Sequence, residues 1–367
     1  MEIPVLQSIS SRPRILIVRL SAHGDVIHTL PLLTALRVRF PEAEIGWLID
    51  SSAAPLLEGH PGIDRLHVWP RRFGGWSILN PVQGVRLFRA ICAMVRELKA
   101  QQYEIALDAQ GLFKSAMWPF LAGIPKRLGF RCTRECADMF YNIRLPKRDL
   151  RVKNRFAADQ CLDLARALGC EISEPDFGGL IPSEAARRKI NQWLPDAEKP
   201  LVVLAPFTRW ETKHWSMENW PVLMRALLEA GVQLVVVGAK TDASQVDAML
   251  AQLPAGHGVV NLAGQTDWTD LYALYERTRL MIGLDSGPLH IANAVGVPDI
   301  IGLYGPTPAG RTGPIGKQHT VFETDLPCQP CFSRQCRLKT HDCMRKITPE
   351  MVIQKALQYL RVPEAAS

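Results

Sequence analysis

The sequence lacks any apolar run long enough to cross a membrane. A span needs roughly 20 residues, and the longest runs, such as Leu201–Phe207 and Val232–Ala239, stop far short. The opening residues, MEIPVLQSISSRPR, have no basic start followed by an apolar core, so no signal peptide is expected. A disulfide framework is also unexpected. The nine cysteines are odd in number, and a long chain without a signal is expected in the cytoplasm, where disulfides are rare. No recognisable nucleic-acid module is present, and a net charge of +7 over 367 residues does not call for one, so no nucleic-acid partner is expected. Disorder is excluded by the 47% apolar content, and the length suits two domains of common size.

The charge is unevenly spread. Residues 51–150 hold 15 Lys and Arg against 8 Asp and Glu, whereas residues 181–367 are nearly balanced at 19 against 18. A fold does not require that asymmetry. It suggests that the front half meets something anionic.

Apolar runs alternate with helical patterns along the chain, the mark of parallel α/β units. In the first half the strand candidates are Arg14–Arg19, Glu44–Ile49 and Tyr103–Asp108, with helical patterns over Val26–Arg39 and Val85–Lys99. Residues 110–150 are basic, aromatic and less regular. In the second half the candidates are Leu201–Ala205, Gln233–Val237, Val259–Leu262, Leu280–Leu284 and Ile300–Tyr304, with helices expected near Trp220–Ala230 and Leu271–Arg277. Thr348 is a plausible cap for a last helix over Pro349–Leu360. The expected architecture is two doubly wound, Rossmann-like domains. These span 1–180 and 181–348, with a helix and tail over 349–367, and a ligand lies in the cleft between the domains.

Three segments carry chemistry. In Leu20–Pro31 (LSAHGDVIHTLP), a strand-to-helix turn places Asp25 at the helix start, where the positive end of the helix favours its ionised form. It reads either as an N-cap or as a general base, with His23 and His28 as weaker candidates. In Ala205–Trp215 (APFTRWETKHW), Thr208, Thr212 and Lys213 offer donors and a positive charge for a phosphate. A solvated loop is the other reading. In Ile282–Gly296 (IGLDSGPLHIANAVG), small residues let backbone N–H groups approach an anion, and Asp285 suits sugar hydroxyls better than phosphate. The Gly-rich sequel at 301–307 (IGLYGPT) fits one more strand and a tight turn.

Taken in order, these segments resemble the bacterial lipopolysaccharide heptosyltransferases, glycosyltransferase family 9, in particular those that add the first heptose to the Kdo sugar of the inner core. RILIVRLSAHGDVIHTLP, DAQGLFKSA at 108–116, RECADMFYN at 134–142, TKHW at 212–215 and the Asp-Ser-Gly…His segment at 285–290 carry the likeness, from about residue 14 to about 360. The resemblance implies a GT-B fold, an ADP-heptose donor held mainly by the C-terminal domain, and an inverting reaction that needs no catalytic metal. It implies Asp25 as catalytic base, Lys213 as the diphosphate-binding lysine and Asp285 as the sugar-binding aspartate. Thr208, Thr212, Ser286, Gly287 and His290 fall in donor-binding segments. Asp242 lies near where the family often has a ribose-binding Glu.

The acceptor implied is Kdo-lipid A, an anionic glycolipid reached from the cytoplasm at the inner-membrane surface. Arg71, Arg72, Lys114, Arg131 and Arg134 in the basic segment are candidates to hold its carboxylates or phosphates. Among them, Phe73, Trp76, Phe113 and Trp118 could touch lipid or pack the core. A protein acceptor, such as an autotransporter adhesin, and a non-catalytic nucleotide-sugar-binding or metal-binding module are the alternatives. The C-terminal cysteines are a departure from the first-heptose enzymes. Cys328, Cys331, Cys336 and Cys343 are spaced C-x2-C-x4-C-x6-C with His341 inside. Four soft ligands within sixteen residues suit a tetrahedral structural Zn or Fe, and a loop of reduced thiols is the other reading.

Overall fold

Parallel sheets covered by helices on both faces bury their central strands twice over, so those strands are near-continuous runs of Val, Ile and Leu. The computed structural model describes residues 9–70, 81–131, 133–146, 155–194 and 198–360. The chain divides between Gly179 and Leu180 into two compact units, each built on a six-stranded parallel sheet.

The first sheet comprises β1 (Arg14–Val18), β2 (Glu44–Asp50), β3 (Arg65–Trp69), β4 (Ile105–Asp108), β5 (Lys126–Phe130) and β6 (Ile143–Leu145), in the order β3-β2-β1-β4-β5-β6. Ile15 at its centre pairs with Ile45 on one side and Ile105 on the other. The second comprises β7 (Leu201–Ala205), β8 (Gln233–Val236), β9 (Val260–Asn261), β10 (Thr278–Leu284), β11 (Asp299–Tyr304) and β12 (Thr320–Glu323), in the order β12-β11-β10-β7-β8-β9. Counted from its own first strand, this is the same doubly wound order. In each unit the chain runs outward over three strands, then returns to the other side of the first. The strand order therefore reverses between β1 and β4, and between β7 and β10. The carboxyl ends of strands at such a reversal are where open α/β sheets bind ligands.

Two departures from the sequence reading have local causes. The helix expected over Val26–Arg39 is two helices, His23–Ile27 and Leu30–Arg39. Pro31 has no N–H to offer the carbonyl of Ile27, so the ladder breaks and Pro31 opens the second helix instead. β3, β5, β6 and β12 were not expected. They lie toward the sheet edges, where half-exposed residues replace the apolar run.

The second core includes the C-terminal helix Pro349–Leu360. Val352, Ala356 and Tyr359 pack with Leu223, Met224 and Leu227 of the helix Asn219–Glu229. Trp215 meets Trp220 edge to face at 5.1 Å and donates its indole N–H to the Ile347 carbonyl at 2.7 Å.

Candidate active site

In the first unit the chemistry gathers where β1 and β4 end. Asp25 lies in the first turn of His23–Ile27, and its Oδ2 accepts from the Ala22 N–H at 3.4 Å. Its stronger partner is Arg19, just beyond β1, whose Nη2 lies 2.7 Å from the same oxygen. The Arg19 side chain is 9% exposed and that of Asp25 is 44% exposed, so the cation is enclosed while the carboxylate stays reachable. Arg19 also donates to the Ala109 carbonyl at 2.6 Å, and the Leu20 N–H donates to Oε1 of Gln110 at 2.8 Å. The loop after β4 therefore anchors the loop after β1.

That second loop is held by Asp108, the buried last residue of β4. Its carboxyl accepts from the N–H groups of Gln110 and Gly111, from the Ser115 hydroxyl and from the Tyr141 phenol, all at 2.7–2.9 Å. Burial raises the Asp108 carboxyl above the usual carboxylate range despite these donors, the Tyr141 hydroxyl foremost among them. Gly129 makes the arrangement possible, because a Cβ there would sit 2.2 Å from the Tyr141 ring.

Of the weaker base candidates, the His23 ring Nε2 lies 2.9 Å from the Ser52 carbonyl. His28 is buried edge-on to Phe156 and Phe177, which makes it part of the core. Lys114 and Arg131 are exposed. Lys114 stands in the first turn of Phe113–Leu121, after β4, and Arg131 directly follows β5. Both are thus at the carboxyl end of the sheet, as Asp25 is. Arg134 opens the 3-10 segment Arg134–Phe140. Arg71, Arg72, Phe73 and Trp76 lie outside the described residues. Trp118 is buried against Trp69, while Phe113 is exposed.

In the second unit the corresponding point is the end of β7 and β10. Lys213 closes a 3-10 turn, Glu211–Lys213, after β7. Its Nζ lies 2.6 Å from Oδ2 of Asp285 and 4.8 Å from the centre of the Trp210 ring. Asp285 follows β10 and is 4% exposed. Its carboxylate also receives Thr307 Oγ1 at 2.5 Å, Thr312 Oγ1 at 3.2 Å and His290 Nε2 at 3.2 Å. Burial alone would raise this carboxyl. The Lys213 ammonium and the His290 hydrogen bond overcome that and hold it well below the usual range. Ser286 caps the helix Gly287–Val295, which ends on the left-handed Gly296. Its side chain makes no cap hydrogen bond, and its Oγ is buried with no partner among the described residues.

Other candidates are already engaged. Thr212 is buried and donates to the Ser333 carbonyl at 2.7 Å, so it ties the β7 loop to the cysteine-bearing segment. Thr208 keeps its carbonyl on the His214 ring at 2.8 Å. Asp242 follows β8, and its Oδ2 caps its own turn through the Ala239 N–H at 2.8 Å. Thr307 and Thr312 escaped the sequence reading. Thr307 ends the IGLYGPT segment, which was read as a strand and a tight turn and not as chemistry, and Thr312 lies beyond it.

The cysteines 328, 331, 336 and 343 carry free thiols, with Cys328 and Cys331 exposed. Burial, then the nearby charges of Cys331, Cys328 and Cys336, raise the Cys343 thiol to about 11. Backbone N–H groups, that of His341 foremost, lower the Cys336 thiol. Among the described residues no group of three or more His, Cys, Asp or Glu side chains is arranged to hold a metal ion.

Two six-stranded parallel sheets of identical doubly wound order, one in each unit, are the architecture of the GT-B fold. The fold matches that of solved members. A glycosyltransferase family 9 protein from Veillonella parvula superposes with a TM-score of 0.77 at 22% identity, covering 96% of this chain and 99% of that one. The E. coli heptosyltransferase WaaC with ADP gives 0.73 at 24%, covering 94% and 99%. By sequence the chain is 26% identical to lipopolysaccharide heptosyltransferase 1 of Pseudomonas aeruginosa, over 96% of this chain and 99% of that protein. It is 28% identical to the E. coli K12 enzyme of the same name, over 84% and 92%. The family model for glycosyltransferase family 9 (heptosyltransferase) matches residues 91–341. The chain belongs to this family and is a glycosyltransferase.

Proposed function

We propose that this enzyme transfers heptose from ADP-heptose to the Kdo sugar of the lipopolysaccharide inner core, with inversion and with Asp25 as general base. The observation that carries the reading is the end of β10. There the partly buried Lys213 pairs with the buried Asp285, beside a Ser286 hydroxyl that has no partner among the described residues, at a helix N-terminus. A diphosphate suits the ammonium and the helix start, and sugar hydroxyls suit the carboxylate.

The acceptor hydroxyl attacks the anomeric carbon of the donor. The new C–O bond forms as the bond from that carbon to the ADP oxygen breaks, and its electrons leave on ADP. Asp25 takes the hydroxyl proton during attack, which a free hydroxyl at neutral pH cannot surrender unaided. Lys213 and the N–H groups at the start of Gly287–Val295 stabilise the charge that grows on the leaving diphosphate.

The acceptor half of the reading rests on the first unit, where Lys114 and Arg131 stand exposed at the carboxyl end of the sheet. We propose that they meet the anionic groups of Kdo-lipid A at the cytoplasmic face of the inner membrane. Among the described residues no helix is long and apolar enough to cross that membrane, so the contact proposed is peripheral.

The test is a transfer assay with ADP-heptose, offering Kdo-lipid A and an adhesin fragment side by side. Transfer to Kdo-lipid A is expected, with kcat lowered by about 10²–10⁴-fold in Asp25→Ala, the usual worth of a positioned base. Transfer to the adhesin fragment alone, or full activity in Asp25→Ala, overturns the reading.

The cysteine loop carries a separate proposal, that the four thiolates take up a structural Zn or Fe. It is supported by the C-x2-C-x4-C-x6-C spacing and by the four thiols being free. No step above runs through that metal. About one metal ion per chain is expected in purified protein, lost in Cys328→Ser/Cys331→Ser together with a fall in Tm. Metal-free protein with an unchanged Tm refutes the proposal.

A further inference from the structure

A buried guanidinium is costly unless its position does something, because removing it from water is repaid only by good partners. Arg19 is such a group. It sits just past β1 in the first unit, with a side chain 9% exposed. Its backbone is fixed by the sheet: its N–H donates to the Leu48 carbonyl at 3.2 Å, and its carbonyl accepts from the Trp47 indole at 3.2 Å. Its two terminal nitrogens go to different loops, Nη1 to the Ala109 carbonyl at 2.6 Å and Nη2 to Asp25 at 2.7 Å. Its Nε is buried with no hydrogen-bond partner among the described residues.

The Ala109 anchor is itself immobilised. Asp108 holds the N–H groups of Gln110 and Gly111, and Tyr141 and Ser115 hold Asp108. Gln110 returns to the β1 loop through the Leu20 N–H. One carboxylate oxygen of Asp25 is thus referred, through a rigid planar fork, to the floor of the sheet. A lysine could supply the charge, but its single nitrogen on a flexible stem cannot bridge two loops with the same geometry.

We propose that Arg19 is a positioning residue for the transfer reaction, fixing the Asp25 carboxylate against the β4 loop so that it meets the acceptor hydroxyl in line. This rests on Asp25 being the base. Misplacement of a reacting group by about 1 Å can cost about 10²-fold, and that sets the size of the effect.

The experiment compares wild type, Arg19→Ala, Arg19→Lys and Asp25→Asn in the transfer assay, with thermal melts on each. In Arg19→Ala, kcat should fall by about 10²-fold while the KM for the sugar nucleotide stays within about twofold, because the donor contacts lie in the other unit. Guanidinium ion at millimolar concentration should restore part of kcat by filling the site left by the side chain, and methylammonium should restore less. Arg19→Lys, with one nitrogen for two partners, should fold with a modestly lowered Tm and still be slow when assayed well below its melt. If Arg19→Ala does not fold, Arg19→Lys decides alone: wild-type kcat in that variant overturns the proposal. Absence of guanidinium rescue in a folded Arg19→Ala, or a kcat within threefold of wild type, also overturns it. An active Asp25→Asn overturns the base reading itself. An inactive Asp25→Asn beside a fully active Arg19→Ala overturns only the role of Arg19.

Discussion

Two buried carboxyls, one in each unit, are displaced in opposite directions, and the cause is the charge beside them. Asp285 has an ammonium at 2.6 Å and is held low, whereas Asp108 has only neutral donors and is raised by burial. The consequences for stability have opposite signs. A depressed carboxyl stabilises the fold above its unfolded value, about 3.9, and that contribution is lost as pH falls below it. A raised carboxyl keeps its proton in the folded state, so stability declines as pH climbs from about 3.9 toward the folded value. Asp108→Asn should therefore remove a decline in Tm on the alkaline side of pH 4. Melts of wild type and variant should lie closest near pH 4 and separate as pH rises toward 7, the wild type falling relative to the variant; parallel curves would mean that Asp108 does not titrate in this range. Lys213→Ala leaves Asp285 buried without its cation, which should weaken the second unit as well as donor binding. Lys213→Ala/Asp285→Asn should recover stability without recovering activity.

The central strands were legible at the scale of elements because burial on both faces leaves a continuous apolar run, as in LVVLA of β7 and LMIGL within β10. The places of Asp25 and Asp285 in the fold were legible because each stands in the turn between an apolar run and the helix after it, and that of Lys213 because its loop follows such a run. Arg19 and Asp108 were hidden by the same rule: each reads as the polar full stop of a strand, and only the strand order reveals that β1 and β4 are neighbours. Thr307 and Thr312 come to Asp285 from beyond β11, 22 and 27 residues away, a distance no local pattern spans. The C-terminal helix was expected as an element, but its role was not. Tyr359 donates to the Gln318 carbonyl, and Arg279 reaches the Tyr359 carbonyl at 2.9 Å. The helix thus closes one face of the second core beside Trp220, which is fully buried. Trp220→Ala should cost about 3–5 kcal/mol, in the range for removing a large buried aromatic, measured as a lowered urea midpoint. A change under about 1 kcal/mol would mean that the second core closes around the lost ring and that Trp220 is not a main support of the helix.

The whole chain repeats one topology twice and gives each copy a different charge. The positive surplus falls in residues 51–150 of the first unit, while the second half is nearly balanced and pairs Lys213 with the buried Asp285. Salt should separate these two kinds of electrostatics. Exposed charges such as Lys114 and Arg131 act through water and are screened over about 10 Å at 0.1 M ionic strength. Lys213 is 13% exposed and is screened much less. Raising salt from about 0.05 to about 0.5 M should therefore increase the KM for an anionic acceptor several-fold and change ADP affinity far less. Lys114→Glu/Arg131→Glu should raise acceptor KM at low salt, flatten its salt dependence and leave ADP binding by calorimetry unchanged. Lys213→Ala should do the reverse, losing ADP affinity and keeping the acceptor's salt response. Equal salt sensitivity of both substrates, or a Lys114→Glu/Arg131→Glu enzyme with normal acceptor KM, would mean that the basic surplus of the first unit is solvated surface and that the acceptor is held by other groups.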